Sequence, residues 1–131
     1  MSSEAVVAHE DDRKWERWPD EQVAERGNVV WKTLISAGLT RSDSLTLGIA
    51  LLAPGETLRP HRHEQAEAYL VLAGSGIVTI DGSAHVVGPG AGVFIAGNAV
   101  HSVESTGHTD LRVAYVLAAD AFEDVEYVFG D

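Results

Sequence analysis

The stretch HRHEQAEAYLVLAG, residues 61–74, decides the fold. In an extended strand, side chains alternate between the two faces with a period of two. His61, His63, Glu67, Tyr69 and Val71 all carry odd numbers, so an extended chain over this stretch points them to one side. Ala68, Leu70 and Leu72 take the other side and suit a wall buried on both faces. A small β-barrel has one interior, and this parity places two imidazoles, a carboxylate and a phenol inside it. Unpaired ionisable groups are costly there. A divalent metal removes that cost, because imidazole and carboxylate are ligands for borderline first-row cations.

Working outward, the rest of the chain is cut into short β-favouring runs. They cover residues 29–36, 44–53, 68–74, 76–81, 85–88, 92–97, 100–105, 111–117 and 125–129. Turn signals separate them at Pro54-Gly55, Gly74-Ser75-Gly76, Asp81-Gly82, Gly88-Pro89-Gly90 and Gly97-Asn98. Nine short strands with regular turns and almost no helical periodicity predict an all-β sandwich or barrel. Residues 10–26 are polar and hold at most one short helix, around residues 19–26. The expected organisation is an acidic N-terminal segment, 1–28, followed by a single domain, 29–131.

At 131 residues there is room for one domain only. The formal net charge of −11 argues against nucleic acid or an anionic membrane surface as partner, since both need a positive footprint. Most of that charge sits at the ends. Residues 1–26 carry a net −4 and residues 118–131 a net −5, leaving only −2 between them. Cysteine is absent, which excludes disulfides, thiolate metal sites and cysteine nucleophiles. No apolar run approaches a membrane span, and the N-terminus lacks the pattern of a secretory signal, so a cytoplasmic location is expected.

His101 opens the run 100–105 just after a Gly97-Asn98-Ala99 turn and supplies a fourth ligand. With His61, His63 and Glu67 it makes three nitrogens and one oxygen, with one or two exchangeable positions left on the metal. Without sulfur, iron(II), manganese, nickel, cobalt and zinc all remain open. His9, His85 and His108 lie in charged or turn-rich segments and read as solvated. Trp15 and Trp18 read as covers for the barrel or a partner subunit. By parity Arg62 faces away from its histidine neighbours, and Arg59 falls in a loop before Pro60.

The pattern Gly55-x5-His61-x-His63-x3-Glu67-x6-Gly74 matches the first cupin motif at every fixed position. The second motif keeps Gly90 and His101, with Ala96, Asn98 and Ser105 standing where proline, glycine and asparagine are usual. Asn tolerates left-handed dihedrals best among non-glycine residues, so Asn98 can still make the turn. The chain therefore resembles the compact single-domain cupins, which implies a jelly roll and a homodimer. VVWKTLI, SLTLGIALLAPG, VFIAGNAVH and FEDVEY, with the histidine stretch, resemble more closely the small cupin-type lyases that cleave dimethylsulfoniopropionate. That resemblance implies one divalent transition metal held by His61, His63, Glu67 and His101. It also implies Tyr69 as or near the catalytic base and Tyr127 as a second active-site tyrosine.

The implied reaction is a β-elimination on a small carboxylate, releasing dimethyl sulfide and leaving acrylate. Trp31, Phe94 and Tyr115 are candidate pocket walls, offering aromatic faces to a sulfonium. Two other readings compete with it: another metal cupin enzyme, such as a dioxygenase or isomerase, and a non-enzymatic small-molecule-binding cupin.

Overall fold

The computed structural model describes residues 5–130. Its β-favouring runs pair antiparallel into two facing sheets. The strands are β1 (Glu16–Arg17), β2 (Val30–Ile35), β3 (Thr46–Leu52), β4 (Thr57–Arg62), β5 (Glu67–Ala73), β6 (Gly76–Ile80), β7 (Ser83–Val87), β8 (Gly92–Ile95), β9 (His101–Ser105), β10 (Leu111–Leu117) and β11 (Val128–Phe129). One sheet runs β1-β2-β3-β10-β5-β8 and the other β11-β4-β9-β6-β7. From β3 onward the chain passes back and forth between the sheets, apart from the β6–β7 hairpin, as in a jelly roll. The expected all-β architecture holds.

The expected helix forms as α1 (Asp20–Arg26). Asp20 and Glu21 sit in its first turn and Arg26 in its last, the arrangement that favours the helix dipole. Pro19 precedes it, and Gly27, at φ 103°, ends it.

Alternation places the core. Along β10, Leu111, Val113, Tyr115 and Leu117 are buried, each 5% exposed or less, and the residues between them face outward. Leu52, Val71, Val78, Ile95 and Val103 complete the filling between the sheets.

Four expectations need correction. Residues 61–69 are not one extended strand. β4 ends at Arg62, the chain bends through Glu64 and Gln65, and β5 starts at Glu67 in the opposite sheet. β4 itself was not expected, because Pro60 and Arg59 read as loop. Pro60 is tolerated inside this strand because it falls where the pairing with β9 slips register, between Leu58 and His61. The last strand shrinks to β11, preceded by a 3-10 turn at Phe122–Asp124. Ala68, Leu70 and Leu72 line the outer face of the sheet, with Leu70 47% and Leu72 42% exposed, so within one chain that wall is buried on one side only.

The N-terminal segment is strapped across the outside of the six-stranded sheet. Glu10 pairs with Arg112, and its carbonyl accepts a bond from Lys32 Nζ at 3.0 Å. The Lys32 ammonium lies over the Trp15 ring, and Arg13 donates to the carbonyls of Thr33 and Leu34. From there β1 pairs with β2, and α1 packs against β4.

Candidate metal centre and adjoining cavity

The side chains expected to bind metal come from three strands and one bend. His61 is the penultimate residue of β4, Glu67 opens β5 and His101 opens β9, while His63 lies on the bend between β4 and β5. Both sheets contribute, so the cluster sits where they converge. Register places His61 opposite His101 within the second sheet. The bend carrying His63 is locked to the turn before His101 by a bond from Asn98 N to His63 O at 2.7 Å. Asn98 adopts φ 66°, the left-handed turn expected of it. Gly97 beside it is obligatory, because a Cβ there would stand 2.3 Å from the Glu64 carbonyl oxygen. The two turns can approach only because one of them has no side chain.

All four side chains are buried, with His61 and His101 1% exposed, His63 2% and Glu67 6%. Each imidazole uses Nδ1 on a backbone carbonyl: His61 on Arg59 at 2.7 Å, His63 on Gln65 at 2.9 Å and His101 on Ala99 at 2.9 Å. A carbonyl only accepts, so each Nδ1 carries the hydrogen. In a neutral imidazole this leaves Nε2 as a bare lone pair. The ligand atoms of the three histidines lie within 4.8 Å of one another. Glu67 Oε1 lies 3.1 Å from His63 Nε2 and 3.3 Å from His101 Nε2, and the latter nitrogen makes no hydrogen bond.

With all three imidazoles neutral, their Nε2 lone pairs and the Glu67 carboxylate meet as acceptors in a buried space, an arrangement satisfied by a proton shared with Glu67 or by a bound cation. The histidine triad can hold a metal ion. Burial, and then the charge of His101, holds His61 down at about 3, so it stays neutral and ligating across the physiological range. Burial pushes Glu67 up, but His101 and His63 hold it below the usual carboxylate range, ready to ligate as the anion.

A cavity opens next to the cluster, between the sheets. It is lined almost wholly by apolar and aromatic side chains, with Glu67 at the junction with the histidines. Tyr69 lines it, 6% exposed, and its ring lies edge-on to His101 with centroids 6.4 Å apart. Tyr127 lines it too, 5.5 Å from the His61 ring and 5.3 Å from the His63 ring. Trp31 and Tyr115, both expected as walls, are walls.

Phe94 is not. It is 71% exposed on the outer face of β8. Its register partner is Ala68, which faces out, whereas Ile95 pairs with Glu67 and faces in. Sequence reasoning gave Trp18 the part of a cover and did not single out Phe122, yet both line the cavity. Trp18 packs on Trp31 at 4.7 Å and on Tyr127 at 5.6 Å. Neither residue stands on a strand with a readable face, so no periodicity could have pointed to them. His9, His85 and His108 are exposed, as expected, and so is Arg62.

Burial, followed by the Glu67 carboxylate, holds the Tyr69 phenol well above its ordinary range, and Tyr127 is raised for the same two reasons. In the protein alone, both tyrosines are therefore firmly protonated.

Two facing antiparallel sheets around a buried histidine triad and an aromatic cavity define a small jelly-roll barrel able to bind a metal ion. The family follows from a direct match. Residues 48–117 fit the cupin-domain model, and the chain belongs to the cupin family. It is 47% identical to the dimethylsulfoniopropionate lyase DddW of Ruegeria pomeroyi over 103 residues, 79% of this chain and 67% of that one. Among solved structures it superposes on the polyketide cyclase RemF of Streptomyces resistomycificus with a TM-score of 0.75 at 25% identity, covering 98% of this chain and 88% of RemF. A chain from the crystal structures of the dimethylsulfoniopropionate lyases RdDddP and RnDddQII also superposes with a TM-score of 0.75. There the identity is 19%, the coverage is 91% of this chain and 63% of that one, and the likeness speaks for the fold alone.

Proposed function

We propose that the protein is a metal-dependent carbon–sulfur lyase that cleaves dimethylsulfoniopropionate into dimethyl sulfide and acrylate. The observation that carries this reading is the buried cluster of four acceptors, His61, His63, Glu67 and His101, opening onto a cavity that Tyr69 lines. The 47% identity to a lyase of that substrate supports the choice of reaction. A divalent cation on these four ligands would bind the substrate carboxylate, stabilise the negative charge that develops there, and draw the nearby phenols down in pKa.

The remaining roles belong to the chain. Tyr69 removes the α-proton as general base. The electron pair of that C–H bond forms the new double bond, and the Cβ–S bond breaks with its pair on sulfur. Dimethyl sulfide leaves neutral, acrylate remains, and no oxidant is consumed. Trp18, Trp31 and Phe122 offer aromatic faces to the sulfonium before it leaves. Tyr127, against His61 and His63, closes the metal end of the cavity.

The test is headspace dimethyl sulfide from protein loaded in turn with iron(II), manganese, nickel, cobalt and zinc. Sulfide is expected well above a chelated control, without oxygen uptake. No release with any of the metals sinks the lyase reading.

We also propose that the functional unit is a homodimer joined through the outer face of β5 and β8. With a charge of −11 on each copy, association needs an uncharged patch. Ala68, Leu70, Leu72 and Phe94 supply one. Light scattering should report twice the chain mass for the wild type and a monomer for Phe94→Asp. A monomeric wild type dismisses the dimer.

A further inference from the structure

Two segments outside the 48–117 cupin stretch meet over the metal end of the cavity, one from each end of the chain. The N-terminal side contributes Trp18, a wall of the cavity. The C-terminal side contributes Tyr127 and Phe129. Phe129 stands opposite His61 in register, with their rings 5.0 Å apart. Trp18 meets both of these rings edge-on, Tyr127 at 5.6 Å and Phe129 at 5.9 Å. β11, which carries Phe129, is only two residues long and has few ladder bonds of its own.

Arg26 ties the two segments together. Its Cζ lies 4.6 Å from the centre of the Trp18 ring and 4.9 Å from that of Phe129. Its Nε is buried without a hydrogen bond, and among the described residues no carboxylate pairs with the guanidinium. Two ring faces meet the charge instead. The backbone fixes this placement. Arg26 is the last residue of α1, and helical side chains lean toward the helix N-terminus, where Trp18 precedes Pro19.

Gly27 then bridges to Leu58 of β4. Leu58 already pairs with Val103 of β9, so Gly27 takes the opposite edge of β4, the edge that β11 also uses. A Cβ at position 27 would stand 2.0 Å from the Thr57 carbonyl oxygen, so only glycine lets the helix end come this close. Further along the same edge, Gly130 N donates to Pro60 O at 3.0 Å. The end of α1 and the last strand thus share one edge of the strand that carries His61.

We propose that Arg26 is a positioning residue whose guanidinium clasps Trp18 to Phe129 and keeps this aromatic cover closed over His61 and the cavity. Opening the cover means breaking the contact of one cation with two rings. The clasp does not depend on which reaction the site performs. Its effect on substrate binding rests on the lyase reading above.

Arg26→Met keeps an unbranched side chain and removes the charge, while Arg26→Lys keeps the charge. A desolvated cation–π contact corresponds to about a 2- to 30-fold effect. Zinc-loaded Arg26→Met should lose its metal to an excess of chelator faster by about that factor, and Arg26→Lys should recover most of the difference. In the active enzyme Arg26→Met should raise KM for dimethylsulfoniopropionate by a similar factor. Tyr69 lies on β5, outside the clasp, so kcat should change less than about twofold.

A readout independent of metal and turnover is hydrogen exchange of the Gly130 amide, followed by NMR in the metal-free protein. It should quicken by about the same factor in Arg26→Met, while the amides of β10 keep their wild-type rates. Unchanged Gly130 exchange or unchanged zinc release in Arg26→Met overturns the clasp. So does faster exchange that extends to β10, since the substitution then loosens the whole fold. Arg26→Lys behaving like Arg26→Met overturns the part played by the charge. A wild type that keeps zinc and releases no sulfide with any metal overturns the lyase reading, and the zinc release and Gly130 exchange still decide the clasp.

Discussion

Tyr69→Phe should reduce dimethyl sulfide release by roughly 10²- to 10⁴-fold, the contribution usual for a positioned general base, while the bound metal stays at its wild-type level. The substitution removes one oxygen and keeps the ring. Tyr69 sits in register between Tyr115 and Val93 and is 6% exposed, so its packing survives in phenylalanine. The hydroxyl is absent from the three-histidine ligand set, so metal content should not follow activity. Burial and Glu67 both oppose loss of the phenol proton in the protein alone. The base should accordingly be competent only in the metal-loaded protein. Measuring kcat and metal content on the same preparation separates the possibilities. Retained turnover dismisses Tyr69 as the base, and joint loss of metal and activity reassigns it to the support of the metal centre.

The second large effect is expected from His101→Ala. Its Nε2 is buried and unpartnered by hydrogen bonds, and it faces the same carboxylate oxygen as His63. Loss of one of four ligands should lower metal content at least about tenfold and sulfide release by roughly 10³-fold, since the reaction depends on the cation twice, for substrate charge and for the base. The wild-type melting temperature should rise by several degrees when metal is added at about a hundred times its Kd, because a ligand that binds only the native state stabilises it. In His101→Ala that rise should disappear. Full metal occupancy in the variant would remove His101 from the ligand set.

The buried cluster of His61, His63, Glu67 and His101 was legible in the sequence, although residues 61–69 do not form the single strand that parity implies. Parity along residues 61–69 assumed one strand, yet the chain bends at Glu64 and Gln65 and crosses from one sheet to the other. His61 and Glu67 still face inward, because each stands on the inner side of its own sheet and the two inner sides face each other. Spacing within the motif survived because it encodes that crossing as well as a strand would. Asn98 was readable for a local reason, since its left-handed φ is a property of the residue itself.

Phe94 was misplaced for the opposite reason. Which of Phe94 and Ile95 faces inward is set by the pairing of β8 with β5, and no local signal in residues 92–97 states that register. Trp18 and Phe122 became cavity walls through segments that are not strands, and Leu70 and Leu72 remained exposed because one chain covers only the inner face of that sheet.

By itself the sequence determined what depends on neighbours along the chain. That comprises the β-rich architecture, the positions of the turns, the helix ending at Gly27, and the spacing of His61, His63, Glu67 and His101 that matches the cupin motif. The tertiary structure decided what depends on partners distant in the chain. Pairing register chose Ile95 over Phe94, and the missing side chain of Gly48 left room for the Tyr115 ring to lie over β3. Sheet closure brought the lone pairs of His61, His63 and His101 to one point from separate segments. Alternation gives each strand two faces but does not say which is inside, and only the pairing of strands across the barrel makes that choice.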